Sequence, residues 1–255
     1  MSGHPPALAI DGAVATITLR RPDTGNRLEL DDLALLREQV EQVNGTRDVL
    51  VLRLAGEGMH FCSGFNIGQI GEGGAGEAGR RFEALADAVE QARPVTIAVL
   101  HGGVYGGATD LALACDFRFG SGATEMFVPA ARLGLLFYRG GLERYVARLG
   151  LGVAKRVLLA GAKLDAQAML DCGYLDHLET SLDALRQAVD ETTATLAASA
   201  PLALLGMKKH LNRIARGALD ADEIARDIAA ADASDDLREG VLARREKRAP
   251  VFRGR

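Results

Sequence analysis

The stretch His101–Gly120, HGGVYGGATDLALACDFRFG, decides how this chain is read. Four glycines fall in its first seven residues, and an apolar helical run with a single early acid, Asp110, follows at once. Glycine costs conformational entropy, so this much of it ahead of a buried helix means that something must approach the main chain. A tight turn, a phosphate, or a carbonyl oxygen in need of bare N–H groups would each explain it.

Upstream, RPVTIAVLHG reads as a buried strand, and RRFEALADAVEQA as a helix before it. ALAIDGAVATITLRRP looks like two short strands joined by an Asp-Gly turn. NRLELDDLALLREQVEQVNGT carries leucine and valine at helical spacing and stops at Asn-Gly, and DVLVLRLAG is a strand. The recurrence of strand, strand and helix predicts an α/β fold in which ββα units wind into a spiral of stacked sheets. Between strand and helix, the segment Gly71–Gly79 has almost no apolar content, which predicts a mobile loop or a helix that orders on binding.

After Gly120 the pattern is helices interrupted by glycine, and no Phe, Tyr or Trp falls between Tyr174 and Phe252. We expect a core over 1–195 and a helical region over 196–255 whose amphipathic helices pack on another subunit or on their own core.

With 34 acids and 30 bases the net charge is −4, which leaves no electrostatic footprint for nucleic acid or an anionic membrane. The cysteines Cys62, Cys115 and Cys172 are widely spaced and odd in number, so they read as small apolar residues of a reducing compartment. Neither a secretory signal nor an apolar run of membrane-spanning length is visible, and the expectation is a cytoplasmic protein. No His or Cys spacing suits a metal.

Two stretches share a design. MHFCSGFNI ends a strand at a Ser-Gly turn before Phe65, and HGGVYGGATDL ends a strand at glycines before a helix that starts near Gly107. Each leaves backbone N–H groups at a strand exit, and the second adds the positive end of a helix dipole. A carbonyl oxygen between them would have two donors, which is an oxyanion hole.

These stretches resemble the crotonase, or enoyl-CoA hydratase/isomerase, superfamily. GEGMHFCSGFNI is similar to its G-x-x-FC-[AS]-G-x-D-[IL] motif, and VLHGGVYGGATDLALACDFR to its glycine cluster and following helix. LGVAKRVLLAGAKLDAQAMLDCGYLD, APLALLGMKKHLN and the terminal KRAPVFRGR extend the likeness over nearly the whole chain. The resemblance implies a crotonase-like spiral with a C-terminal helical trimerisation region, a trimer or a dimer of trimers, and an acyl-CoA thioester substrate. It implies no separate cofactor, because coenzyme A enters with the substrate. The oxyanion donors would be the N–H groups of Phe65 and Gly107.

The departures matter as much. Hydratases of this family use two glutamates; the first position here is Asp110 and the second is Ala130. With the paired acid/base machinery incomplete, plain hydration or isomerisation is in doubt. Asp110 is the expected acid/base, and Tyr138, Glu143 and Tyr105 line the variable end of the site. Because loss of CO2 from a malonyl-type thioester needs an oxyanion hole and a carboxylate clamp, for which Tyr138 or Arg139 is the candidate, but no strong base, a decarboxylase is one alternative, and a non-catalytic acyl-CoA-binding protein is another. For the coenzyme A portion the resemblance points to Arg27, to Ser63, Asn66 and Ile67, and to Lys209 and Phe252 of the helical end. His60 and His101 are read as structural hydrogen-bonding residues, and Glu143 and Arg144 equally as a solvated helix start.

Overall fold

The computed structural model describes residues 3–69 and 74–255. Strands β1 (His4–Asp11) and β2 (Val14–Arg20) form the expected antiparallel hairpin. Helix α1 (Leu30–Gly45) follows, its start closed by a reciprocal Glu29–Asp32 capping box. Then β3 (Val51–Gly56), α2 (Gly74–Glu90) and β4 (Val95–Leu100) complete the next turn of the chain. The glycine-rich stretch forms the short strand β5 (Gly103–Tyr105) and the helix α3 (Gly107–Ala114), followed by β6 (Phe117–Ser121) and β7 (Glu125–Phe127).

Beyond these lie α4 (Arg139–Leu158), β8 (Leu164–Asp165), α5 (Ala166–Asp171) and β9 (His177–Glu179). Helix α4 is broken at Gly150, whose φ of 76° no helix accommodates. The end of the chain is helical: α6 (Leu182–Ala197), α7 (Pro201–Ala215), α8 (Ala221–Asp232) and α9 (Asp235–Glu246).

The main sheet runs β1-β2-β3-β4-β6-β9, parallel after the first hairpin, and a smaller sheet runs β5-β7-β8. Both faces of the main sheet are covered, as a parallel sheet requires. Leu52, Leu54, Ala98 and Leu100 face the core shared with α1, α2 and α3, while Val51, Ile97 and Phe119 meet Leu185 and Val189 of α6. Arg53, on that second face, is satisfied by Thr193 at 2.8 Å and Asp190 at 2.8 Å.

Helix α2 begins at Gly74, well before the apolar repeat that announced it. Its first turns are supported by Glu77, which pairs with Arg80 and Arg81 at 2.6 and 2.8 Å, and by Phe82 reaching the core. Residues 71–73 of the expected loop lie outside the described residues. Helix α7 docks on its own core: Lys208 pairs with Asp116 at 2.8 Å and Asn212 donates to the Glu90 carbonyl at 3.0 Å. The same helix leaves Met207, Leu211 and Ile214 more than half exposed.

Candidate active site

The segment Phe61–Asn66 is threaded between two others. On one side Ser63 N donates to Gly25 O (2.7 Å), Leu28 N to Gly64 O (2.8 Å) and Asn66 N to Leu28 O (2.9 Å). On the other, Phe61 N donates to His101 O (2.9 Å) and Tyr105 N to Cys62 O (3.0 Å), so Cys62 and Val104 pair in parallel. This pairing sets the Ser-Gly turn beside the glycine cluster. Gly64 has φ 91°, and a Cβ there would lie 2.7 Å from the Tyr105 carbonyl oxygen and 3.5 Å from the Gly107 nitrogen. Only glycine fits such a seat.

Most amides at this crossing are spent on these contacts. Gly106 N donates to Phe127 O at 2.8 Å, and Asn66 N is taken by Leu28. Among the described residues, the N–H groups of Phe65 and Gly107 have no acceptor. Gly107 is the first residue of α3, where an N–H has no partner inside the helix and the dipole is positive. The two strand exits, brought side by side at Gly64, each carry an unspent donor.

One turn along α3, Asp110 is completely buried. Arg144 takes both its oxygens, Nε to Oδ1 at 2.9 Å and Nη2 to Oδ2 at 2.6 Å, and the Tyr138 hydroxyl donates to Oδ2 at 2.8 Å. Arg144, read from sequence as the start of a solvated helix, is itself fully buried and also reaches Asp87 at 2.6 Å and Glu90 at 3.3 Å. Burial alone pulls its pKa down, but the hydrogen bonds and charges of Asp110, Asp87 and Glu90 more than reverse this and hold it above its ordinary value. For Tyr138, burial and then the Asp110 charge push the phenol well above its ordinary range. Its ring stacks on Phe137 (centroids 4.7 Å apart) and Phe82 (6.1 Å). Of this cluster the sequence names Asp110 and Tyr138, which the fold brings together; it holds no signal for Arg144, Asp87 and Glu90 as their surroundings, because these come from separate helices.

The remaining candidates divide. Tyr105 donates to Glu125 at 2.5 Å, and Glu125 is paired with Lys163 at 2.6 Å. Ser63 donates to Thr24 O (3.0 Å). Glu29 bridges Arg27 (3.3 Å) and Asn66 (2.8 Å), Ile67 is 52% exposed, and the Arg27 Nε is buried without a partner. Ala130 opens a short 3₁₀ turn and packs against the core. His60 accepts from Gly103 N at 2.9 Å and His101 pairs with Gly58 O at 3.0 Å, which are structural bonds.

Glu143, Lys209 and Phe252 lie elsewhere, in the lining of a 1680 Å³ cavity between α2, α4, α7, α8 and the chain end. Neither Phe65, Gly107, Asp110 nor Tyr138 lines it. There Glu143 pairs with Arg139 (2.7 Å) and Arg216 (2.7 Å), and Lys209 with Glu223 (3.0 Å) and Asp227. Among the described residues no group of acids, histidines and cysteines could hold a metal ion, and no helix is long and apolar enough to cross a membrane.

Comparison with known proteins agrees with this architecture. Residues 9–255 match the enoyl-CoA hydratase/isomerase family model. A peroxisomal Delta(3,5)-Delta(2,4)-dienoyl-CoA isomerase of Arabidopsis thaliana is 29% identical, over 95% of this chain and 93% of its own. The solved structure of an enoyl-CoA hydratase/carnithine racemase from Magnetospirillum magneticum superposes with a TM-score of 0.92 at 27% identity, covering 99% of this chain and 96% of that one. DspI of Pseudomonas aeruginosa gives 0.90 at 31%, covering 98% and 97%. The chain belongs to the enoyl-CoA hydratase/isomerase family, whose fold it shares from end to end.

Proposed function

We propose that this enzyme binds an acyl-CoA thioester with its carbonyl oxygen between the N–H groups of Phe65 and Gly107 and stabilises the enolate that forms there. The observation that carries this reading is the pair of unspent donors at two adjacent strand exits, one of them on the positive end of α3. A preorganised donor of this kind is worth about 3 kcal/mol in the transition state. The rim around Arg27, Asn66 and the exposed Ile67 takes the coenzyme A portion. Glu143 and Lys209 are held in ion pairs with Arg139 and Glu223 in the separate cavity.

A second, narrower reading is loss of CO2 from a malonyl-type thioester. It is favoured by the state of Asp110, whose oxygens are occupied by Arg144 and Tyr138, and by Ala130, which supplies no carboxylate. A carboxylate so satisfied is a poor base. Decarboxylation asks for none: the bond from the α-carbon to the carboxylate breaks, its electron pair enters the enolate, and water returns a proton to the α-carbon. We further propose a cytoplasmic homotrimer or dimer of trimers, built by the helical region that leaves Met207, Leu211 and Ile214 exposed.

Incubation with crotonyl-, 3-enoyl-, malonyl- and methylmalonyl-CoA, followed by mass spectrometry, tests both readings. Loss of CO2 from a malonyl thioester with crotonyl-CoA untouched supports the second. Water gain on crotonyl-CoA overturns the second and keeps the first. Binding without product points to a protein that holds thioesters without turning them over.

A further inference from the structure

Phe82 sits against the proposed donor itself. A Cβ on Gly107 would meet the far edge of the Phe82 ring, with Cζ at 2.8 Å and both Cε atoms at 3.0 Å, so the ring is in van der Waals contact with the Gly107 backbone. Phe82 is 3% exposed. Tyr138 stacks on it with ring planes 30° apart, and Phe137 stacks on Tyr138 at 21°. The stack is pinned at two points. The Tyr138 hydroxyl is bound to Asp110 at 2.8 Å, and the Phe137 ring meets Tyr145 edge-on with centroids 5.9 Å apart. Tyr145 is in turn fully buried and donates to Thr109 at 2.6 Å.

A thioester carbonyl carbon carries two branches that diverge in one plane, the sulfur leading to coenzyme A and the α-carbon leading to the acyl chain. If the coenzyme A branch leaves over the exposed side of Asn66 and Ile67, the acyl branch faces the first turn of α3. That turn carries Gly107 and Asp110, and it is roofed by the Phe82 and Tyr138 rings.

We infer that Phe82 and Tyr138, backed by Phe137, form a fixed aromatic wall that restricts the substrate to a short acyl group. This inference rests on the acyl-CoA reading above. Rings already in contact with the donor backbone leave no depth for a long chain, and dense aromatic packing does not open without loss of contacts on every side. Each methylene the pocket cannot house weakens recognition by about tenfold or more.

The test is the binding of acetyl-, butyryl-, octanoyl- and dodecanoyl-CoA to the full chain by calorimetry, for the wild type and for Phe82→Ala. The wild type is expected to bind butyryl-CoA at least about tenfold more tightly than octanoyl-CoA, and Phe82→Ala to remove that preference. Phe82→Leu, which keeps apolar volume but lacks the distal ring carbons, serves as the second variant if Phe82→Ala does not fold. Equal affinity for butyryl and octanoyl chains in the wild type overturns the wall. So does a folded variant with the wild-type ratio. Binding of no thioester of any length overturns the acyl-CoA reading itself, and this inference falls with it.

Discussion

Arg144 and Asp110 meet in a two-pronged ion pair, 2.9 and 2.6 Å, in which neither side chain reaches solvent. The pair joins α4 to the first turn of α3, the turn that begins with Gly107. Arg144 also binds Asp87 and Glu90 of α2, and Glu90 is bound in turn by Arg148 at 3.1 Å and Arg216 at 3.0 Å. The carboxylate expected from sequence to move protons is thus the inner end of a charge network that reaches helix α7.

Removing the arginine leaves the buried Asp110 without a counter-charge. Arg144→Met is expected to cost about 3–5 kcal/mol in chemical denaturation. Adding Asp110→Leu to the same chain should recover a sizeable part, because two apolar side chains then replace a pair. A loss below about 1 kcal/mol for Arg144→Met would show that the network is not what fixes α3.

Gly64 offers a way to spread the two proposed donors apart. A methyl group there is driven onto the Tyr105 carbonyl oxygen at 2.7 Å, in a backbone conformation of φ 91° that alanine disfavours. Gly64→Ala should lower stability by about 1–3 kcal/mol and kcat/KM by at least about tenfold, since a misplaced donor stabilises the enolate less. Full activity in this variant would contradict the role given to the crossing.

Much of this was legible in the chain. The Asp11-Gly12 turn, the strand exits at Ser63-Gly64 and Gly106-Gly107, and the buried α3 are local features, and local sequence specifies them. The start of α2 was not, because GAGEAG reads as loop by propensity and is helical through the Glu77 pairs and the packing of Phe82. Nor were the surroundings of Asp110. Arg144 stands 34 residues away and beside the exposed Glu143, and nothing in the order ERY tells which of the two points inward. Tertiary contact decided it.

The cysteines give a pH prediction. Burial pushes the Cys62 and Cys115 thiols from about 9 up to about 12. The native state therefore keeps these protons where the unfolded chain loses them. Their contribution to stability is complete below about pH 9 and drains away as the pH rises toward 12. Denaturation midpoints should fall across that window, and a Cys62→Ala, Cys115→Ala chain should show a shallower fall. At pH 8, a thiol reagent should label Cys172 in the native protein and spare the other two; rapid labelling of Cys62 would contradict its burial.

The N–H groups of Phe65 and Gly107 are the proposed donors, and the carbonyl stretch of a bound thioester reports on them directly. The decisive measurement is the infrared difference spectrum of butyryl-CoA carrying a ¹³C-labelled thioester carbonyl, a saturated ligand that can be neither hydrated nor decarboxylated. Bound to the wild type, its carbonyl stretch should move to lower frequency, as two donors polarise the bond, and the shift should shrink or vanish in Gly64→Ala. A bound thioester whose carbonyl absorbs where it does in water, in both proteins alike, would contradict the account.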